Sequence, residues 1–89
     1  MIEASVTHFF STLTNVAFDL GLNAHSDNLT VSATAAKVSA IEGMAHSLYN
    51  SVKNKVNASI LTEAIGRYSL NLHDGNIEAA KQYCLDLFN

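Results

Sequence analysis

Apolar residues recur every three or four positions through the first twenty residues of the chain, with polar residues between them. They are separated by four, three, four, three and four residues: Ile2, Val6, Phe9, Leu13, Val16 and Leu20. This spacing puts them on one face of an α-helix. Gly21 suits the left-handed position that ends a helix, and Leu22 can fold back onto the last turn. We therefore predict a first helix over about 2–20.

A second apolar stripe follows a polar connection over residues 22–28. It keeps the spacing of a heptad repeat: Val31, Thr34, Val38, Ile41, Ala45, Leu48 and Val52. This stripe predicts a second helix over about 30–54, continuous unless Gly43 kinks it. The alternation of apolar and other residues over 29–33 also fits a short strand. The alanine pair at 35–36 and the unbroken stripe favour a helix.

Two shorter helices complete the pattern. The third is predicted over about 58–72 from six recurring positions: Ile60, Leu61, Ala64, Ile65, Tyr68 and Leu72. A turn at residues 74–76 supplies Asp74 or Asn76 as the next helix cap. The fourth is predicted over about 76–88 from Ile77, Ala80, Cys84, Leu87 and Phe88.

The predicted fold is therefore all-α, a small four-helix bundle in a single domain of 89 residues. The second helix would be about 37 Å long and the fourth only about 20 Å. Helices of such unequal length leave part of an apolar stripe uncovered. Because a symmetric copy of the same chain is the commonest cover, we expect a homodimer.

Composition narrows the location of the protein. Cys84 is the only cysteine, so no disulfide can form within the chain, as is usual in a reducing compartment. The opening residues contain neither a basic segment nor a long apolar run, so we expect no secretion signal. Apolar runs are also far shorter than the ~20 residues that cross a membrane. We expect a cytoplasmic protein that does not bind membranes.

Charge is scarce and slightly negative. Charged residues make up 15% of the chain, against a usual ~25%, and the net charge is −3. A basic patch is the usual mark of nucleic-acid binding, so this balance argues against it. If helices 3 and 4 formed a helix-turn-helix, the recognition helix would carry Glu78 and Asp86 against a single Lys81.

Catalytic and metal-binding patterns are weak. Glu42 and His46 share a helix face, but helical metal bundles use several such pairs on different helices. Cys84 occupies an apolar helical position, where a cysteine behaves as a small hydrophobe. The four glycines are too dispersed to cradle a phosphate. We expect no enzyme activity, cofactor or metal.

Four aromatic residues at or beside the stripes are the candidates for partner binding: Phe10, Tyr49, Tyr83 and Phe88. Aromatic side chains are enriched at protein interfaces. The leading hypothesis is a non-enzymatic protein-interaction module, such as an adaptor, inhibitor or assembly factor. The alternative is a dimeric nucleic-acid-associated regulator, and a metal- or small-molecule-binding bundle ranks third.

Overall fold

The computed structural model describes residues 3–22 and 31–89, and within these ranges it contains four α-helices and no strand. The helices are α1 (Ala4–Asp19), α2 (Val31–Val52), α3 (Ala58–His73) and α4 (Ile77–Asp86). The predicted all-α class and four-helix bundle are confirmed. Helix, not strand, continues from residue 31 onward, and residues 29 and 30 lie outside the described residues.

The helix boundaries agree with the sequence pattern to within about two residues. α2 is continuous through Gly43, so that glycine does not break the helix. It ends at Val52 rather than near 54, because a turn over residues 53–55 leads directly into the cap of α3. α4 ends at Asp86, and the backbone of Phe88 then bonds to the carbonyl of Leu85 in a tightened last turn.

Two glycines end helices, Gly21 as predicted and Gly75 within the predicted turn. Gly21 and Gly75 both have φ of 75°, a left-handed conformation that L side chains rarely adopt. After α1, the Leu22 amide donates to the Ala17 carbonyl at 3.0 Å and the Gly21 amide to the Phe18 carbonyl at 2.9 Å. This pair of bonds is a Schellman motif, and Leu22 is buried beneath it.

The four helices are arranged as a ring. Each helix packs extensively against the next one in the chain, and α4 packs against α1. The Lys37 ammonium, near the start of α2, donates to the Leu20 carbonyl at the end of α1, so these two helices run antiparallel. The Cα radius of gyration is 12.6 Å, close to the ~12 Å of a compact domain of this length.

The core runs along the inside of this ring and takes residues from every helix. Its largest fully buried side chains include Phe9, Leu13, Ile41, Leu61 and Tyr68. Each lies on the stripe that its own helix was predicted to bury.

A hydrogen bond between two side chains crosses the described core. The Thr14 hydroxyl donates to the Phe10 carbonyl at 2.7 Å, and its oxygen lies 2.8 Å from the Tyr68 hydroxyl. A threonine hydroxyl has a single hydrogen, so Tyr68 must donate to Thr14. The bond links α1 to α3 across the diagonal of the bundle.

The uncovered stripe expected from the helix lengths does not exist in the described residues. The stripe positions of α2 that are described are buried or half-buried within one copy. The accessible surface is 5193 Å², close to the ~5,100 Å² of a compact monomer of this mass. Among the described residues, the exposed large apolar side chains are Phe18, Leu70 and Tyr83, each on a different helix. The homodimer remains a prediction, although the uncovered apolar stripe from which it was inferred is not found among the described residues.

Candidate functional site

The four aromatic residues predicted to contact a partner lie in different environments. Tyr49 is half-buried on α2, and Phe88 is half-buried in the turn after α4. Tyr83 is 46% exposed on α4, whereas Phe10 on α1 is fully buried. Because α2 and α4 lie on opposite corners of the ring, Tyr49 and Tyr83 do not belong to one surface.

Phe10 belongs to the core and not to a recognition surface. Its ring centroid lies 5.0 Å from that of Phe9 and 5.6 Å from that of Tyr68. Neighbouring helix positions point about 100° apart, and α1 is covered by α2 on one side and α4 on the other, so both phenylalanines are buried. A partner could reach Phe10 only by opening the bundle.

Tyr49 lies in a groove between α2 and α3, which we call the α2–α3 groove. Its walls are His46 and Tyr49 from α2, and Thr62 and Ile65 from α3, enclosing a volume of ≈ 140 Å³. Towards the start of α3 it opens into a shallower depression bordered by Tyr49, Thr62 and Ser59. Together they form an elongated surface with aromatic, aliphatic and hydroxyl groups.

Local structure fixes both walls of this groove. Tyr49 follows Leu48 on the stripe of α2, so its ring packs on the edge of the core while one side stays accessible. On the other wall, the Asn57 side chain accepts hydrogen bonds from the backbone amides of Ser59 and Ile60 at 2.9 and 3.3 Å. This cap fixes where α3 begins, opposite the last turns of α2. It therefore determines where Thr62 and Ile65 lie along α2.

Charges of both signs border the α2–α3 groove. Glu42 precedes His46 by one turn, Lys53 follows Tyr49 by one turn, and Glu63 is next to Thr62. Lys53 and Glu63 are exposed and Glu42 is half-buried. These three charges sum to −1, so no strong charge of one sign surrounds the groove, and its walls offer mainly apolar contact and hydrogen bonding.

Phe88 lies at the end of the bundle, away from this groove. With Leu87, Val56 and Ile60 it borders a depression of ≈ 300 Å³ between the α2–α3 turn and the end of α4. Glu3, the residue before α1, also lines this depression. Phe88 is thus accessible on one side, but at a location separate from Tyr83.

The buried ionisable groups are held in their neutral forms. Burial raises the pKa of Tyr68 to about 12 and that of Cys84 to about 12. The Cys84 thiol donates to the Ala64 carbonyl at 3.1 Å. A protonated, fully buried thiol is not a nucleophile, so the interpretation of Cys84 as a core residue is confirmed.

The candidate metal pair gains no third ligand. Glu42 and His46 lie on the α3 side of α2, and the described residues hold no group of three or more His, Cys, Asp or Glu side chains that could bind a metal ion. The other described histidines lie on separate elements, with His8 on α1 and His73 at the end of α3.

Comparisons with protein-family models, with curated proteins and with solved structures find no match to this chain. None of the described helices is long and apolar enough to cross a membrane.

Several groove residues were not predicted from the sequence. Thr62 reads as an exposed polar position on α3, and Ile65 as an ordinary core position. Their part in the α2–α3 groove depends on the pairing of α2 with α3, which the stripe of either helix does not reveal. The one-position offset of Tyr49 from the α2 stripe was a usable signal for an accessible ring.

Proposed function

We propose that this protein is a non-enzymatic interaction module that binds another protein through the α2–α3 groove. The observation that carries the proposal is the position of Tyr49, a half-buried aromatic ring in a groove with apolar and hydroxyl-bearing walls. Energetically dominant residues at interfaces are often tyrosines fixed in such surroundings. The groove has room for one large apolar side chain of a partner.

The surroundings of the groove also suit a protein partner. Small uncharged residues on the outer face of α2, including Ser39, Gly43 and Ser47, are exposed. Apart from the glycine itself, its chain neighbours and the backbone of its own helix, no atom lies within 4 Å of where a Cβ would lie at Gly43 or Gly66. Because the side chains on this surface are short, the backbone of a partner can approach it closely without displacing long charged side chains.

The absence of a catalytic role is also part of the proposal. The buried thiol and phenol are protonated at neutral pH, and neither lies in an open cleft. The described histidines are not hydrogen-bonded to a serine or threonine hydroxyl or to the thiol, so the described residues offer no activated nucleophile.

The nucleic-acid alternative receives little support from the charge distribution. Lys53 and Lys55 lie in one turn, but Lys37 is engaged by the Leu20 carbonyl and Lys81 shares α4 with two acidic residues. These cations do not make the continuous basic stripe that backbone phosphates require.

The proposal is tested by placing a long charged side chain in the α2–α3 groove. Thr62 is exposed, so Thr62→Arg should fold normally while its guanidinium occupies the space beside Tyr49. We expect affinity-tagged wild-type protein to retain one or more specific proteins from its native host. Thr62→Arg and Tyr49→Ala should both lose them.

Tyr83→Ala is the matched control, because Tyr83 is an exposed tyrosine outside the groove. It should retain the same proteins as the wild type. Circular dichroism confirms that each variant is helical. Recovery of the same proteins by Thr62→Arg at wild-type levels would remove the α2–α3 groove from the account.

A further inference from the structure

A second groove lies between the first turns of α1 and the last turn of α2, on the other side of α2 from the α2–α3 groove. Its volume is ≈ 190 Å³. Phe9 and Val52 are 2% and 4% exposed and form its floor, and Leu48 adds a half-buried apolar wall. The floor is therefore dry and suited to an apolar group.

A buried hydroxyl in the wall of this groove has no hydrogen-bond partner. The Ser5 Oγ is shielded from solvent and unpaired among the described residues. Several other helical hydroxyls bond to the carbonyl of the preceding turn, as Thr14 does with Phe10 and Thr62 with Ala58. A buried polar atom left without a partner is unfavourable, so Ser5 calls for an acceptor or donor supplied from the groove.

The rim of this groove carries one cation, Lys55. His8 also lines it, and its described lining contains no carboxylate. The nearest acidic residues on its two helices point elsewhere or are distant. Glu3 borders the depression with Phe88, and Glu42 lies about 15 Å along α2 from Val52. An anion at Lys55 is therefore not repelled by a neighbouring carboxylate.

We propose that this groove binds a small amphiphilic carboxylate, with the carboxylate at Lys55 and the apolar chain on Phe9 and Val52. The Ser5 hydroxyl turns from its shielded position towards the groove and donates a hydrogen bond to the carboxylate. The volume holds about six groups of the size of a water molecule, which corresponds to a straight-chain acid of about four to six carbons. This ligand site is separate from the α2–α3 groove and does not depend on the proposed function.

The test uses hexanoate as the probe, with hexanol and acetate for comparison, in a two-dimensional ¹H–¹⁵N NMR titration of the full chain. Hexanoate should shift the amide signals of Ser5, His8 and Leu48 with a Kd on the order of a millimolar. Hexanol lacks the charge and acetate lacks the chain, so each should bind at least about five-fold more weakly.

Lys55→Gln should weaken hexanoate binding about three- to ten-fold and leave hexanol binding unchanged. Lys53→Gln is the matched control, since Lys53 is exposed and does not line this groove. The dispersion of the NMR spectrum reports whether each variant is folded. The proposal is overturned if hexanoate gives no shifts at 20-fold the expected Kd, if its shifts lie on other residues, or if Lys55→Gln binds it like the wild type.

Discussion

At the scale of single residues, Thr14 is the buried polar side chain in the described core, at 3% exposed. The sequence does not predict this role, because Thr14 lies beside the apolar stripe of α1 and Tyr68 is predicted only to be a core residue. Their hydrogen bond depends on the diagonal distance between α1 and α3, which only the packed bundle determines. A buried bond of this kind favours one register of the helices over others.

Thr14→Val should lower the free energy of unfolding by about 1–3 kcal/mol, because the Tyr68 hydroxyl is left buried without a partner. Tyr68→Phe removes that hydroxyl. The loss of unfolding free energy in the double variant should therefore be smaller than the sum of the two single losses, by about 0.5 kcal/mol or more. Urea unfolding of the four proteins measures the difference, and strict additivity would contradict the assigned bond.

Alkaline pH should destabilise the fold through Cys84 and Tyr68. Burial raises the pKa of Cys84 from 9.0 to about 12 and that of Tyr68 from 10.0 to about 12. Between these values the folded state keeps protons that the unfolded state has lost. Stability is therefore full below about pH 9 and falls as the pH rises towards 12.

Cys84→Ala removes one of these two groups and should reduce the loss of stability between pH 8 and pH 11 by about 2 kcal/mol. The measurement is urea unfolding of both proteins at each pH, which cancels the pH-independent cost of the smaller side chain. Equal losses in the two proteins would show that the thiol is not shielded as described.

At the scale of helices, the starts and ends follow from local signals to different degrees. Gly21 and Gly75 mark the ends of α1 and α3, because a left-handed residue can be read from the sequence. The ends of α2 and α4 were predicted about two residues late. The apolar stripe of α4 continues beyond its last regular turn, whereas that of α2 stops at Val52, the last residue of the helix. Leu87 and Phe88 still pack on the core from a tightened turn.

The caps of α3 and α4 offer a matched pair of asparagines. The Asn57 side chain accepts two backbone hydrogen bonds, whereas Asn76 at the start of α4 makes no side-chain cap bond. Asn57→Ala should therefore lower the free energy of unfolding by about 1 kcal/mol, and Asn76→Ala by less than about 0.5 kcal/mol. Thermal and urea unfolding measure both, and equal losses would contradict the assigned caps.

At the scale of the whole molecule, periodicity in the sequence predicted the fold class, the number of helices and most core positions. It did not predict how the helices pair, and so it treated Phe10 as a surface residue, although Phe10 is fully buried against Tyr68 of α3. Because helix pairing was not predicted, only one wall of the candidate site was identified from the sequence. Tyr49 was identified from its offset on α2, but the opposite wall at Thr62 and Ile65 comes from a separate helix.

Self-association should be weak. Stable dimers hide a continuous apolar surface, whereas Phe18, Leu70 and Tyr83 are exposed on three different helices. The predicted homodimer should therefore form only at high concentration, so that light scattering gives a mass rising from 9.6 kDa as the protein is concentrated towards the millimolar range. A constant mass of 9.6 kDa at all concentrations would exclude the homodimer. A mass twice as large at every concentration would contradict weak self-association and would mean that the chain has an apolar surface that a second copy covers.

The central claim, that a partner protein binds in the α2–α3 groove, is tested most directly by photo-cross-linking in cells of the native host. A photoreactive phenylalanine analogue replaces Tyr49 in one variant and Tyr83 in another, and both should fold because neither ring is fully buried. We predict discrete adducts with another protein from position 49 and none from position 83. Adducts from position 83 with none from position 49 would contradict it.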